Sequence, residues 1–343
     1  MTRWLTLNDL IAIQQLQRRG IQLDLERAVL WPHSPLRAAV AAHWPPSPIG
    51  ADTIILCPPS GRGRALGFLQ VRERRHRPEA DLAFIAPSLD AREDAVSIWY
   101  RLLAECTQHF GDRGGQHLFA QISGGDATED VLRQAGFSTY AHEDIYRLTE
   151  RPTRLTKTPL LHRQRPRDTW NLLRLYSQAT PRAVQIAEGM LSPEGQGGRL
   201  RDWWDQARGS GYVLQVDQEM VGAVRVLRGS AAYWLRFWLS PQAHDYGATI
   251  LNAALSLLWA APRRPIYVSV REYESGLRAP LEDMGFRILY TRNLLVKHTT
   301  ARAKEPLIKL VPALEKRPEP AASVAGHSAQ WSVVSGQKLK TEN

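Results

Sequence analysis

The chain contains two stretches that repeat each other. Residues 132–148 read LRQAGFSTYAHEDIYRL, and residues 281–297 read LEDMGFRILYTRNLLVK. Leu132 and Leu281 each stand four residues before a Gly-Phe pair, Gly136-Phe137 and Gly285-Phe286, at an offset of 149 residues. Such repetition constrains the architecture before any single residue is interpreted, because each copy has to build the same unit. The likeness continues upstream in the order of elements. A strand at Gly67–Arg72 has its counterpart at Gly222–Leu227, and Pro-terminated strands follow at Ala83–Pro87 and Phe237–Pro241. Next come a long helix at 92–110 and 245–260, a short apolar strand at Leu118–Ile122 and Ile266–Val270, a second helix, and the Gly-Phe strand. This order predicts an α/β chain of two tandem domains. Each is a mixed, mostly antiparallel sheet flanked by helices.

The 343 residues divide on this reading into domain 1 at 1–150, domain 2 at 151–299 and a tail at 300–343. The tail is rich in Pro, Ala, Ser, Lys and Glu and is expected to be disordered. Domain 1 opens with a helix at Leu7–Arg18 after Thr6 as N-cap. Strands Thr53–Leu56 and Ala65–Arg72 form a hairpin around a polar turn. Residues 149–168 are basic, contain three prolines and link the domains, with part of the stretch available as a first strand of domain 2. Domain 2 then has helix Trp170–Ala179, a helix ending at Asp202–Arg208, and a hairpin turning at Asp217-Gln218-Glu219.

Net charge is +10 and unevenly spread. Residues 1–150 carry 16 basic and 18 acidic groups, residues 151–298 carry 21 and 12, and the tail carries 7 and 4. The positive field of domain 2 favours anionic ligands. Only seven of the 44 basic residues are Lys. That bias accounts for the choice of Arg over Lys, but not for the imbalance between domains. The two cysteines, Cys57 and Cys106, form no CxxC pair, so neither a disulfide framework nor a zinc site is expected, and the expected compartment is a reducing cytoplasm. No metal is called for. The first residues, MTRWLTLNDL, lack a sustained apolar core, so no signal peptide is expected, and the longest apolar helix candidate, Ile250–Ala261, is too short to span a bilayer.

The element order, with the Gly247 region opening the long helix of domain 2, resembles the GCN5-related N-acetyltransferase (GNAT) fold in tandem. In that family an Arg/Gln-x-x-Gly-x-Gly/Ala motif opens the long helix, and its backbone N–H groups hold the pyrophosphate of coenzyme A. In domain 2 the register gives His244-Asp245-Tyr246-Gly247-Ala248-Thr249. The middle glycine is present, His244 replaces the Arg/Gln, and Thr249 replaces the last small residue. The resemblance implies acetyl-coenzyme A as co-substrate, bound by His244, Tyr246, Gly247, Ala248 and Thr249. It also implies that the backbone of Phe237, Trp238 and Leu239 pairs with the pantetheine amides. Burial in a strand accounts for the aromatic side chains by itself. Domain 1 has Ser88-Leu89-Asp90-Ala91-Arg92-Glu93-Asp94-Ala95 in the same place, with no glycine and three carboxylates, which fits a structural role.

The resemblance implies an acyltransferase acting on an amine, and it departs from the family at the catalytic groups. The Tyr often found four residues before Gly-Phe is replaced by Leu132 and Leu281. The strand carboxylate often used as base is absent from domain 2, whose Pro-terminated strand carries only Arg236, while domain 1 has Glu79 and Asp81. The segment Arg271-Glu272-Tyr273-Glu274-Ser275 supplies the candidates, with Tyr273 as acid and Glu272 or Glu274 as base. A solvated helix cap is the plainer account of the same residues. Three function classes stay open: an acetyl-coenzyme A-dependent N-acyltransferase, a non-catalytic module that kept the fold, and a Fem-type aminoacyl transferase using charged tRNA. No aromatic-basic RNA platform is visible, so nucleic acid is not favoured.

Overall fold

The computed structural model describes residues 2–6, 9–43, 49–58, 65–74, 77–123, 127–152, 155, 161–189 and 209–299. The expected tail and the expected helix end at Asp202–Arg208 lie outside the described residues.

Among the described residues, thirteen strands form one sheet. The first half contributes β1 (Thr2–Trp4), β2 (Ile21–Gln22), β3 (Asp52–Leu56), β4 (Gly67–Glu73), β5 (Glu79–Ala86), β6 (His117–Ser123) and β7 (Ser138–Leu148). The second contributes β8 (Leu161–Arg163), β9 (Gly209–Val216), β10 (Glu219–Arg228), β11 (Tyr233–Leu239), β12 (Ile266–Arg271) and β13 (Arg287–His298). Their order is β1-β3-β4-β5-β6-β13-β7-β12-β11-β10-β9-β8, with β2 set against β5. The two halves therefore exchange their last strands. β7 pairs with β12 of the second half, and β13 pairs with β6 of the first. A division near residue 150 separates the repeats in sequence, yet each repeat completes the other's sheet.

The two exchanged strands lie antiparallel across a local two-fold axis. Arg292 faces Glu143, and these are equivalent positions at the 149-residue offset. The neighbouring pairs Asn293↔His142 and Thr291↔Asp144 map onto each other under the same offset. Both strands skip a residue symmetrically, at Tyr140 and at Leu289.

The repeated Leu-x-x-x-Gly-Phe signature is a helix stop used twice. Gly136 and Gly285 adopt φ of 90° and 88°, the left-handed region that glycine enters without steric cost. The Phe137 N–H donates to the Leu132 carbonyl at 3.0 Å, and the Phe286 N–H donates to Leu281 at 3.0 Å. This return bond and the Leu–Phe contact above it form a Schellman cap. Leu132 and Leu281 are fully buried, which explains their apolar identity.

Helices cover both faces. Helix Ala95–Asp112 buries Trp99 and Leu102 against β3, β4 and β6, and helix Gly247–Ser256 buries Ile250 and Leu251 against β10, β11 and β12. Helix Gly247–Ser256 is shorter than the span 245–260 expected from sequence, because Asp245 and Tyr246 belong to a 3-10 segment, Pro241–Tyr246, and residues 257–261 close in tighter turns, with the Leu258 N–H donating to Leu255 and the Trp259 N–H to Ser256. On the other face, Ile13 and Ala39 cover Phe68 in the first half. Leu172, Leu175 and Tyr176 cover Trp238 in the second. The opening helix is also shorter than expected, Leu10–Leu16. Thr6 does not cap it. The Thr6 hydroxyl donates to Asp9, which occupies the cap position.

The hairpin β9–β10 turns through Asp217 and Gln218, both with positive φ (49° and 68°). Two-residue turns of this hand favour glycine at the second position. Gln218→Gly is expected to stabilise the fold by about 0.5–1 kcal/mol, read as a higher urea midpoint at unchanged slope.

Candidate functional site

Both halves splay where the family resemblance places the acyl carrier, and the two splays differ. β12 stays registered with β7 along its length, Ile266–Arg271, but its parallel pairing with β11 ends at Arg236↔Ser269. Among the described residues Phe237, Trp238 and Leu239 thus keep a strand partner only on the β10 side, opposite Val224, Ala223 and Gly222. In the first half the β5–β6 pairing ends at Asp81↔Phe119, leaving a matching gap. That gap is filled by the chain itself. Ile21 and Gln22 pair with Ile85 and Phe84, the Leu23 N–H donates to the Ala83 carbonyl at 2.9 Å, and the Gln121 N–H donates to the Leu23 carbonyl at 3.0 Å. Three residues therefore bridge both lips of the first splay and take the backbone bonds that an inserted ligand would need.

The helix starts differ in the same sense. Helix Gly247–Ser256 has no acid in its first turn and no side-chain cap on Tyr246, so its N–H groups keep their preference for an anion. His244, Asp245 and Ala248 are exposed, Tyr246 and Thr249 half-buried. Gly247 is buried, and a Cβ there would meet the Gly276 carbonyl at 2.7 Å. Its lack of a side chain is therefore required by packing against the Ser275–Leu277 turn. The aromatic side chains of the splayed strand are likewise core: Phe237 and Trp238 are buried.

Between the halves lies a cavity of about 130 Å3 lined by seven arginines and five carboxylates, which suits a charged ligand and excludes an apolar one. Its floor is one row of residues carried across the sheet. Arg225 faces Arg236, Arg271 faces Glu143, and Glu143 faces Arg292. Helix Leu25–Leu30 of the first half stands over this row, with Asp24 as N-cap and Leu30 and Trp31 packed on Trp234 and Leu227 of the second.

Glu143 is the centre of the row. Its Oε1 accepts from Arg236 Nη1 at 2.9 Å and lies 3.6 Å from Arg271 Nε, while its Oε2 accepts from Arg292 Nε at 2.7 Å. Burial alone would raise this carboxyl, but Arg292, Arg236 and Arg271 overcome it and bring the pKa down to about 2. Beside it, Arg271 donates from Nη2 to Glu188 and from Nη1 to the Tyr273 hydroxyl at 2.8 Å. Tyr176 donates to the other Glu188 oxygen at 2.5 Å. Burial works against the Glu188 charge, yet Arg271 and Arg236 hold its pKa below the usual carboxylate range.

Of the three candidate catalytic residues, Tyr273 and Glu274 touch Arg271 of the cavity wall without lining the cavity themselves, and Glu272 does not reach it. Burial pushes the Tyr273 hydroxyl up to about 12, with Arg271 opposing the shift. Glu274 accepts the Arg271 N–H at 2.9 Å through Oε2, while its Oε1 is buried without a hydrogen-bond partner. Burial raises its pKa against the pull of Arg236 and Arg271. Glu272 is exposed and engages the site only through its main chain, whose N–H donates to the His142 carbonyl at 3.1 Å. In the first half, Glu79 and Asp81 are spent on Arg74, at 2.8 and 2.6 Å. Glu143, Arg292, Glu188 and Glu26 are not singled out by sequence. The one available signal is that Glu143 and Arg292 are repeat-equivalent positions of opposite charge.

Among the described residues no group of three His, Cys, Asp or Glu could hold a metal ion, and no helix is long and apolar enough to cross a membrane. No protein-family model matches the chain, and no curated protein matches it. Solved structures do. A GCN5-related N-acetyltransferase from Sphaerobacter thermophilus aligns at a TM-score of 0.52 and 14% identity, covering 87% of this chain and 95% of that one. A tandem GNAT protein from the clavulanic acid biosynthesis pathway, solved without acetyl-coenzyme A, aligns at a TM-score of 0.51 and 14% identity, covering 87% and 98%. With two splays in one sheet whose halves exchange their last strands, the chain has the tandem fold of the GCN5-related N-acetyltransferases.

Proposed function

We propose that the chain is an acyl-coenzyme A-dependent N-acyltransferase whose second half holds acetyl-coenzyme A and whose first half is structural. The observation that carries this reading is the contrast between the splays. The β11–β12 splay is left without a strand partner among the described residues, whereas residues 21–23 occupy the β5–β6 splay. On this reading the pantetheine pairs with the backbone of Phe237–Leu239, and the pyrophosphate lies against the start of helix Gly247–Ser256, near His244, Tyr246, Ala248 and Thr249. The cavity between the halves receives an amine acceptor. The acceptor nitrogen bonds to the acyl carbon and the carbon–sulfur bond breaks. Glu274 takes the proton lost by nitrogen, and Tyr273 gives one to the departing sulfur. A hydroxyl with a pKa of about 12 stays protonated at neutral pH, and Arg271 stabilises the phenolate it becomes.

Titration with acetyl-coenzyme A tests the carrier site. Gly247 is a poor position to probe, since any side chain there breaks packing. Ala248→Glu is better, because Ala248 is exposed and the new carboxylate opposes a phosphate at the helix start. It is expected to weaken binding about tenfold, from a helix-terminus interaction on the order of 1–2 kcal/mol. No binding by the unsubstituted protein overturns the reading. Binding without turnover on any amine favours the second one, a non-catalytic module, for which the burial of Leu281 at the family's Tyr position already speaks.

A further inference from the structure

Arg236 reaches the cavity wall with one nitrogen engaged and two left over. Its Nη1 donates to Glu143 Oε1 at 2.9 Å. Its Nε and Nη2 are buried and have no hydrogen-bond partner. These two nitrogens form one edge of the planar guanidinium, and their parallel N–H bonds match the two oxygens of a carboxylate. The guanidinium also stacks over the Trp238 ring at 5.2 Å. Stacking and the Glu143 bond together fix the plane in which the open edge is presented. Ion pairing does not answer that edge. Arg236, Arg271 and Arg292 share Glu143, and of the three only Arg271 has a second carboxylate, Glu188. Glu274 acts on Arg236 through space, and the two form no ion pair among the described residues. Folded proteins rarely leave two buried donors open on one edge unless water or a ligand fills them.

The place of Arg236 in the sheet points the same way. It is the last residue of β11 that pairs with β12, so it stands at the vertex of the open splay. Its main chain adjoins Phe237–Leu239, while its side chain lines the cavity between the halves.

We propose that the Nε–Nη2 edge of Arg236 is a carboxylate-binding site and that the cavity takes a short-chain carboxylic acid held by that group. Glu143 sits on a different nitrogen, and Glu274 is not in contact with the guanidinium. Both oppose an incoming anion from farther away than the two N–H groups that receive it, so the attraction at contact is the larger effect. The size limits the chain: a cavity of about 150 Å3 holds a six-carbon ring, and this one measures about 130 Å3. That the acyl acceptor is an amine bearing such a carboxylate rests on the acyltransferase reading. That the site binds a carboxylate does not.

The test is calorimetric titration of the full chain with propionate and butyrate. Propionamide and butyramide serve as probes of the same shape without charge, and inorganic phosphate as an anion of another geometry. Each acid is expected to bind about tenfold or more tighter than its amide, the worth of a hydrogen bond to a charged group. Arg236→Lys keeps a cation for Glu143 but has no paired edge. It should erase the preference for acid over amide while its thermal midpoint stays within a few degrees of the unsubstituted protein. A crystal structure with butyrate gives a second measurement that needs no variant: both oxygens should lie on Nε and Nη2 of Arg236. Absence of acid binding, equal affinity for the amides, tighter binding of phosphate than of either acid, an Arg236→Lys variant that keeps the preference, or butyrate seated elsewhere would each overturn the proposal. Titration with acetyl-coenzyme A in parallel separates the two ideas. Acid binding without acetyl-coenzyme A binding keeps this site and sinks the acyltransferase, and the reverse result sinks this site alone.

Discussion

Glu143→Ala is expected to destabilise the protein by about 3–5 kcal/mol, the cost of leaving buried charges without their counterion. Three guanidiniums converge on this one carboxylate, and both Arg271 and Arg292 are 2% exposed, so water cannot replace it. The loss would appear as a lowered urea midpoint with little change in slope. A loss below about 1 kcal/mol, the range of surface ion pairs, would show that the cluster is solvated in solution. A double replacement, Glu143→Met with Arg292→Met, should recover part of the loss, because it removes the charges together. The pH dependence has a defined sign. The folded-state pKa of Glu143 is depressed to about 2, so its contribution is fully present above the unfolded value and is lost as pH falls from there toward 2. The axis of the repeat passes through this pair, so acid should loosen the contact between the halves.

Glu274→Gln is expected to lower kcat by about 10²- to 10⁴-fold, the range for loss of a positioned base. Glutamine keeps an oxygen to accept the Arg271 N–H, so the turn at 272–274 should survive and acetyl-coenzyme A should still bind. Because burial raises the Glu274 pKa, turnover on the acyltransferase reading should fall in the unsubstituted protein as pH drops through a value above that of an ordinary glutamate. Only the ionised form accepts a proton. The variant should lose that acid limb of the profile. Unchanged turnover with Glu274→Gln would assign the proton to another group, and Glu188, held by Arg271 and Tyr176, is the next carboxylate to examine.

The order of elements could be read from the sequence because it rests on local physics. The Gly-Phe signature specifies the same left-handed helix stop wherever it occurs, so Gly136 and Gly285 report it without any tertiary information. Alternating and continuous apolar runs likewise mark β4, β11 and β12. The turn after β12 brought Tyr273 and Glu274 to notice for the same reason, since they follow a legible strand. What sequence could not supply was which strand lies beside which. Nothing local distinguishes a β7 that closes its own half from one that crosses to β12, because the two differ only in long-range pairing. The charged row depends on that choice. Arg236, Glu143 and Arg292 are 93 and 149 residues apart in pairs, and only the exchanged strands bring them within 3 Å. The same holds for residues 21–23. As sequence they are an unremarkable extended stretch, and only the tertiary fold, by placing them in the β5–β6 splay, closes the gap in the first half.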